Sequence, residues 1–116
     1  MTAMKLSTDE RGEVTVVTMS GDLEAREVDD FKSYMDEVVG KGPTPKAVLD
    51  VSRVTRMTSY VVALIGFYNA QFKQAKGKLV IAGARTPAQR ALELSGLTQV
   101  VASEDTLEDA IATAKS

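Results

Sequence analysis

Short apolar runs alternate with amphipathic segments along the chain, and this alternation constrains the fold more than any other feature of the sequence. Strands are predicted at about residues 5–8, at 13–21, 46–52 and 77–83, and within 97–103; helices are predicted within 24–42 and at 59–76, 86–96 and 103–116, the last capped by Ser103. Strands that alternate with helices indicate an α/β fold, with a mostly parallel central sheet of about four to five strands and about four helices. The length of 116 residues favours a single domain, residues 1–116.

The residue types that are missing exclude several kinds of chemistry. The chain has no cysteine and no histidine, so it lacks thiol chemistry as well as the commonest general base and metal ligand. It also has no glycine-rich phosphate loop and no G-x-S-x-G elbow. We therefore expect no enzymatic activity, no cofactor and no metal site. An enzyme would have to use a lysine as the base of a serine nucleophile, or carboxylates such as Asp22 or Glu24, which lie where acidic residues stabilise a helix start.

Charge and hydropathy narrow the possible partners. The chain has 14 basic and 16 acidic residues, a net charge of −2, whereas nucleic-acid binders usually carry a clustered basic excess. The longest apolar run, Tyr60–Tyr68, is too short to span a membrane. The first residues, MTAMKLSTDERG, lack the apolar stretch of a signal peptide. The sequence therefore predicts a cytoplasmic protein with no membrane span and no nucleic-acid partner.

The stretch TRMTSYVVALIGF (55–67) contains the start of the longest predicted helix. Helical spacing predicts an apolar stripe that faces the sheet, formed by Val61, Leu64, Ile65, Tyr68, Phe72 and Ala75. Tyr60, Ala63 and Phe67 fall outside this stripe. Clustered exposed apolar side chains often mark an interaction site, but a neighbouring helix or loop that covers them is an equally good interpretation.

Thr58 and Ser59 lie at the border between the polar and the apolar parts of this stretch. One interpretation is structural, because serine and threonine are favoured as the N-cap of a helix. The other is regulatory, because a phosphate at a helix N-terminus meets free N–H groups and the positive end of the helix dipole. The residues alone favour the cap.

Three segments, in this order, resemble the STAS domain, the module of bacterial anti-sigma factor antagonists. VTVVTMSGDLEA is similar to the second strand of that family and its Gly-x-Leu-Asp turn. KAVLDVSRVTRMTS is similar to the family's vvlDlsgVxxiDSSG segment, and AKGKLVIAGARTPAQRALELSGLTQVVASEDTLEDAI to its C-terminal half. The resemblance covers nearly the whole chain and implies a STAS-like domain.

In this family, a serine at the start of the corresponding helix is phosphorylated by a partner anti-sigma kinase. The unphosphorylated form binds the kinase and frees the sigma factor. Residues 57–61 fall on the family's x-Asp-Ser-Ser-Gly motif, and Ser59 takes the phosphorylated position. Thr58 stands in place of the Asp, Tyr60 in place of the second Ser, and Val61 in place of the Gly. Glu24 stands where the turn Asp usually does.

The resemblance implies a partner-switching regulator that binds an anti-sigma factor, a serine kinase or another regulatory protein. Binding would use a loop at 53–59 and the exposed side of the helix that follows, with Ser59 and Thr58 as candidate phosphoacceptors. The candidate partner-binding residues are Glu24, Arg53, Arg56, Thr58, Ser59, Tyr60, Ala63 and Phe67. Because the motif lacks its Asp and Gly, the alternative is a non-phosphorylated scaffold or accessory subunit, as in stressosomes or lipid-transport ATPases. The oligomeric state stays open.

Overall fold

The computed structural model describes residues 5–23, 28–40, 42–85 and 88–116. The elements in this part are β1 (Lys5–Arg11), β2 (Val14–Leu23), α1 (Val28–Val39), β3 (Lys46–Met57), α2 (Ser59–Gln74), β4 (Lys78–Ala82), α3 (Ala88–Leu94), a 3₁₀ turn (Leu97–Gln99), β5 (Ala102–Glu104) and α4 (Leu107–Lys115). The strands form one sheet in the order β1-β2-β3-β4-β5. β1 is antiparallel to β2, and the other neighbouring pairs are parallel. The predicted α/β fold is confirmed.

Helices cover the two faces of the sheet unequally. α1, α2 and α3 connect successive parallel strands and contribute to the larger core, through residues such as Phe31, Ile65 and Leu92. α4 contributes Ala110 and Ala114 to a smaller cluster with the other set of strand side chains. Within the described sheet the strand order never reverses, so it lacks the switch point at which doubly wound sheets bind ligands.

The register of the parallel strands determines which residues form each of the two cores. Val16, Val48 and Val80 are direct neighbours across β2, β3 and β4 and belong to the cluster under α4. Successive residues of a strand point to opposite faces of the sheet. The residues that follow these three valines therefore point to the other face and belong to the larger core: Val17, Leu49 and Ile81. Burial on both faces explains why these strands read as continuous apolar runs in the sequence.

Strand β3 is longer than predicted. The sequence predicted a strand at 46–52 and a loop at 53–59, but β3 continues to Met57 and α2 begins at Ser59. The register of β3 against β2 shifts between Thr18 and Ser20 and again after Gly21, which marks two bulges. Its last buried residues, Val54 and Met57, are consequently three positions apart. The loop prediction was wrong because the bulges interrupt the two-residue period by which a strand is recognised.

Asp50 stabilises the first of these bulges. Its Oδ1 atom accepts one hydrogen bond from the Ser52 backbone N–H at 3.0 Å and another from the Ser52 hydroxyl at 2.7 Å. A bulge disrupts the local ladder of hydrogen bonds. The carboxylate therefore supplies an acceptor to a backbone group at the point where the ladder is irregular.

The cap of the last helix also differs from the prediction. Ser103 lies in β5, where it pairs with Ile81 of β4, and it does not cap α4. The N-cap is Thr106, whose Oγ1 accepts a hydrogen bond from the Asp109 backbone N–H at 3.1 Å. The Ser103 prediction was wrong because strand pairing extends to Glu104 and delays the helix.

Candidate partner-binding site

The two hydroxyl residues at the start of α2 have different roles in the fold. Thr58 is the N-cap: it has an extended backbone, and its side chain accepts a hydrogen bond from the Val61 backbone N–H at 3.4 Å. Ser59 is the first residue of the helix and is exposed. Its hydroxyl makes no hydrogen bond to any other residue in the described part of the chain. The structure thus assigns the cap to Thr58 and leaves the Ser59 hydroxyl accessible.

The exposed side of α2 carries several apolar residues. Val61, Ile65 and Phe72 are buried against the sheet, as the helical spacing predicted. Tyr60 is 48% exposed and Phe67 53% exposed, so no described helix or loop covers either ring completely. Ala63 and Ala70, which share this side of the helix, are exposed too. We call the exposed set Ser59, Tyr60, Ala63, Phe67 and Ala70 the α2 surface.

The Phe67 ring packs against a buried aromatic side chain. It makes an edge-to-face contact with the Tyr68 ring, with ring centres 5.1 Å apart. The Tyr68 ring is buried and makes a second such contact with Phe31 of α1, at 6.0 Å. The Tyr68 hydroxyl donates to Asp36 Oδ1 at 2.8 Å and lies 3.3 Å from the Lys32 carbonyl oxygen. α1 therefore fixes the position from which Phe67 projects.

The environment of Tyr68 also affects its acidity. Burial of the ring, and secondarily the hydrogen bond and negative charge of Asp36, raise the pKa of the Tyr68 phenol well above its ordinary value. Both causes act against the phenolate, because burial disfavours a charged form and a carboxylate repels one. Tyr68 is accordingly a neutral hydrogen-bond donor between α1 and α2.

A predominantly apolar groove of about 340 Å³ lies between the start of α2 and α3. It is lined by Met57, Ser59, Val62, Ala91, Leu94 and Ser95. Leu94 is 82% exposed. The Ser59 hydroxyl is therefore at the border of the α2 surface and of this groove, which we call the α2–α3 groove.

Leu94 was not among the residues predicted to bind a partner. In the segment AQRALELSG, Leu92 and Leu94 are two positions apart, and residues at that spacing point to opposite sides of a helix. Leu92 is 1% exposed and takes the core side. This spacing was the available signal that Leu94 is exposed, although it could not show that α3 lies beside Ser59.

The structure separates the predicted arginines from the α2 surface. Arg53 and Arg56 are exposed residues of β3, paired in register with Ser20 and Asp22. Val54 and Met57, which flank them, belong to the larger core under α2. Arg53 shares the strand face of Ser20, and that face is opposite the one covered by α2. Glu24, the remaining candidate, lies outside the described residues.

Two further findings concern only residues 5–23, 28–40, 42–85 and 88–116. These ranges contain no group of three acidic, cysteine or histidine side chains placed to hold a metal ion. They also contain no helix with the length and apolar character needed to cross a bilayer.

The fold and the site together define a class: an α/β domain that presents, after its central strand, an exposed helix with an apolar side. The chain belongs to the STAS domain family. The family model described as the MlaB STAS domain matches residues 6–102, which confirms the resemblance seen in the sequence. That residues 1–116 form a single domain stays a prediction.

Solved structures with the same fold include regulators named for their role in sigma-factor control. An anti-sigma factor antagonist from Mycobacterium paratuberculosis is 22% identical with a TM-score of 0.87, over 98% of this chain and 96% of the other. The anti-sigma factor antagonist SpoIIAA in its unphosphorylated form is 19% identical with a TM-score of 0.79, over 97% and 96%. The Bacillus cell fate determinant SpoIIAA in its phosphorylated form is 20% identical with a TM-score of 0.71, over 96% and 98%. No curated protein sequence matches the chain.

Proposed function

We propose that this protein is a non-enzymatic, cytoplasmic partner-switching regulator that binds an anti-sigma factor, a serine kinase or another regulatory protein through the α2 surface. Ser59 is the proposed phosphoacceptor. The observation that carries the proposal is the division of roles at the start of α2. Thr58 caps the helix, whereas the Ser59 hydroxyl is exposed beside Tyr60 and the α2–α3 groove.

The distinction between the two hydroxyls decides which is the better phosphoacceptor. Thr58 is only partly exposed and its Oγ1 already accepts from the Val61 backbone N–H, so a kinase would have to disturb the cap to reach it. Phosphorylation of Ser59 would leave that cap in place. The first turn of α2 contains no acidic residue, so a phosphate there meets the helix dipole without repulsion from its own helix. Of the two candidate phosphoacceptors, Ser59 is therefore the more accessible and Thr58 the less accessible.

A phosphate on Ser59 would change the binding surface more than the fold. It adds nearly two negative charges at pH 7, at the edge of a groove whose walls include Met57, Val62 and Leu94. An apolar partner side chain in that groove would have to bury part of the phosphate or leave it poorly solvated, and burying an unpaired charge is costly. Phosphorylation would consequently release a partner that contacts both the α2 surface and the groove.

A non-phosphorylated accessory subunit is the second candidate function. Two observations favour it: the matching family model is described by MlaB and not by anti-sigma factor antagonists, and Thr58 and Val61 stand where the phosphorylation motif has Asp and Gly. In that case Tyr60 and Phe67 would contribute most of the binding energy, and Ser59 would only begin the helix.

A capture experiment tests the proposed surface. Tagged protein is incubated with lysate of the source organism, and the bound proteins are identified by mass spectrometry for the wild type and for Tyr60→Ser/Phe67→Ser. The matched control is Val100→Ser, because Val100 is 55% exposed, similar to Phe67, but lies after α3. We expect a partner that binds the wild type and the control but not the double variant. Equal capture by all three proteins would contradict the proposal that the α2 surface binds the partner.

The identity of the captured partner distinguishes the two functions. An anti-sigma factor or serine kinase favours the switch, and a transport ATPase favours the accessory subunit. Intact-mass measurement of the protein from its native host then shows whether it carries one phosphate, and fragmentation locates that phosphate on Ser59 or elsewhere.

A further inference from the structure

The β5 side of strand β4 is only partly paired. β4 begins at Lys78, but its pairing with β5 begins later, where Val80 pairs with Ala102. The chain before Ala102 does not continue the strand, because Leu97–Gln99 form the 3₁₀ turn and Val100 caps it. The start of β4 therefore lacks a strand neighbour on this side within the described part of the chain.

The course of the backbone identifies Leu79 as the residue that is left without a strand partner. The Gly83 N–H donates to the Glu104 carbonyl oxygen at 3.0 Å, across to the β5 side. N–H groups along a strand alternate between its two neighbours, so the Leu79 N–H faces the same side as that of Gly83. The equivalent acceptor for Leu79 would be the Val100 carbonyl oxygen, but no backbone hydrogen bond joins these two groups among the described residues.

A groove of about 270 Å³ opens at this point, between the end of α2 and the start of β4. Its lining includes Asn69, Lys73, Lys78, Leu79, Val100 and Ala102. The Leu79 side chain belongs to the larger core, and Lys78 Nζ contacts Ser116 Oγ at 3.5 Å. Leu79 and Lys78 therefore contribute mainly backbone to the groove, whereas Asn69 and Lys73 contribute side chains from α2. We call this opening the edge groove.

Asn69 is a buried polar side chain with an unused acceptor. It is only 7% exposed. Its Nδ2 atom donates to the Val100 carbonyl oxygen at 3.3 Å, but its Oδ1 atom accepts no hydrogen bond from any residue that the structure describes. Lys73 Nζ donates to the same Val100 oxygen at 3.4 Å. Because buried polar atoms are nearly always hydrogen-bonded, Asn69 Oδ1 calls for a donor, and the edge groove is the open space beside it.

The unused groups in the edge groove are both donors and acceptors. The Leu79 N–H and the Lys73 ammonium can donate, and Asn69 Oδ1 can accept. A carboxylate would accept from the two donors but could not donate to Asn69 Oδ1. A carboxamide carries a carbonyl oxygen that accepts and an N–H that donates, so it matches both kinds of group at once.

We propose that the edge groove binds a small ligand through a carboxamide group. The carbonyl oxygen of that group accepts hydrogen bonds from the Leu79 N–H and from the Lys73 ammonium, and its N–H donates to Asn69 Oδ1. The bond from Lys73 is the stronger of the two to the carbonyl oxygen, because its donor is charged. A free molecule with a primary amide and an amide of a peptide backbone both carry this chemistry.

The proposal does not rest on the partner switch. Asn69 and Lys73 lie roughly 15 and 20 Å along α2 from Ser59, at a rise of about 1.5 Å per residue. Neither residue belongs to the α2 surface. Lys73→Gln should therefore leave partner capture through the α2 surface unchanged, so the two proposals can fail separately.

Titration with glutamine tests the site, and glutamate is the matched acid. Amide resonances of the ¹⁵N-labelled protein are followed for the wild type, Asn69→Leu, Lys73→Gln and the control Lys76→Gln, which removes one exposed charge outside the groove lining. We expect saturable shifts at Leu79 and Val100 with glutamine, and weaker binding of glutamate. Asn69→Leu should lose at least about tenfold in affinity and Lys73→Gln at least about threefold, whereas Lys76→Gln should lose less than about twofold.

A second probe, N-acetylalanine N-methylamide, distinguishes the two sources of the amide. Tighter binding of this probe than of glutamine assigns the groove to a peptide, and the reverse assigns it to a free primary amide. If Asn69→Leu does not fold, the comparison of Lys73→Gln with Lys76→Gln still decides.

Three results would overturn the proposal. The first is that neither amide probe gives saturable shifts below about 50 mM. The second is that glutamate binds as tightly as glutamine, because the donor on the ligand then has no role. The third is that Lys73→Gln and Lys76→Gln weaken binding equally, because the effect is then only one of net charge.

Discussion

Thr58 accepts a hydrogen bond from the Val61 backbone N–H, whereas its neighbour Ser59 has an exposed hydroxyl with no partner among the described residues. Two adjacent hydroxyl residues are thus divided between a structural and an accessible position. In the family motif that Ser59 matches, the residue before the phosphoacceptor is an Asp, which is also a favoured N-cap. Thr58 is the N-cap in this chain and lacks the charge that an Asp would carry.

Removal of the two hydroxyls should have unequal effects on stability. Thr58→Ala should lower the free energy of unfolding by about 1 kcal/mol, because α2 loses its N-cap. Ser59→Ala should change it by less than about 0.5 kcal/mol, as is usual for an exposed site. Urea denaturation of the two variants measures both values. A larger loss for Ser59→Ala than for Thr58→Ala would contradict the assignment of the cap.

The burial of Tyr68, together with its hydrogen bond to Asp36, should make stability depend on alkaline pH. Burial first, and then Asp36, raise the pKa of Tyr68 in the folded protein, whereas the unfolded chain should titrate near the ordinary value of about 10. The folded state therefore holds this proton more tightly. Its contribution to stability is present below about pH 10 and is lost as the pH rises toward the folded-state pKa.

Denaturation at several pH values between neutrality and the alkaline limit measures this effect. At neutral pH, Tyr68→Phe should lower the free energy of unfolding by about 1 kcal/mol, since the Asp36 carboxylate loses a hydrogen bond. Tyr68→Phe should also weaken the alkaline decline. Parallel curves for wild type and Tyr68→Phe would exclude Tyr68 as the cause.

Asp50 should matter for stability through the bulge in β3. Asp50→Ala leaves the Ser52 N–H without its carboxylate acceptor and should cost about 1 to 2 kcal/mol in the free energy of unfolding. Ser52→Ala removes the hydroxyl contact but keeps the backbone one, so its cost should be smaller. Chemical denaturation compares the two, and an equal or greater loss for Ser52→Ala would count against the proposed role of the backbone bond.

Gly77 should tolerate no side chain. A Cβ atom at this position would collide with the carbonyl oxygen of Pro45, which belongs to the backbone and cannot rotate away. Gly77→Ala should therefore lower the free energy of unfolding by about 3 kcal/mol, the upper end of the usual cost of overpacking. Gly40→Ala is the matched control, because its nearest new contact would be an ordinary 3.5 Å. Thermal denaturation of both variants shows whether only Gly77 is restricted.

The sequence predicts the α/β order because periodicity records which side of each element is buried. The position of Tyr60, Ala63 and Phe67 outside the core stripe of α2 was predictable for the same reason, but whether another element covers them was not. The extension of β3 to Met57 could not be predicted from the sequence, because two bulges place the buried residues Val54 and Met57 three positions apart. The α2–α3 groove could not be predicted either, because it depends on how α3 packs beside Ser59.

The affinity of the captured regulatory partner for Ser59 variants tests the central claim most directly. Binding of that partner is titrated with wild type, Ser59→Ala and Ser59→Asp, and with Ser33→Asp as an exposed control on α1. We predict that wild type, Ser59→Ala and Ser33→Asp bind similarly, and that Ser59→Asp binds at least about tenfold more weakly, a difference of about 1.4 kcal/mol. Equal affinities of wild type and Ser59→Asp would contradict the switch.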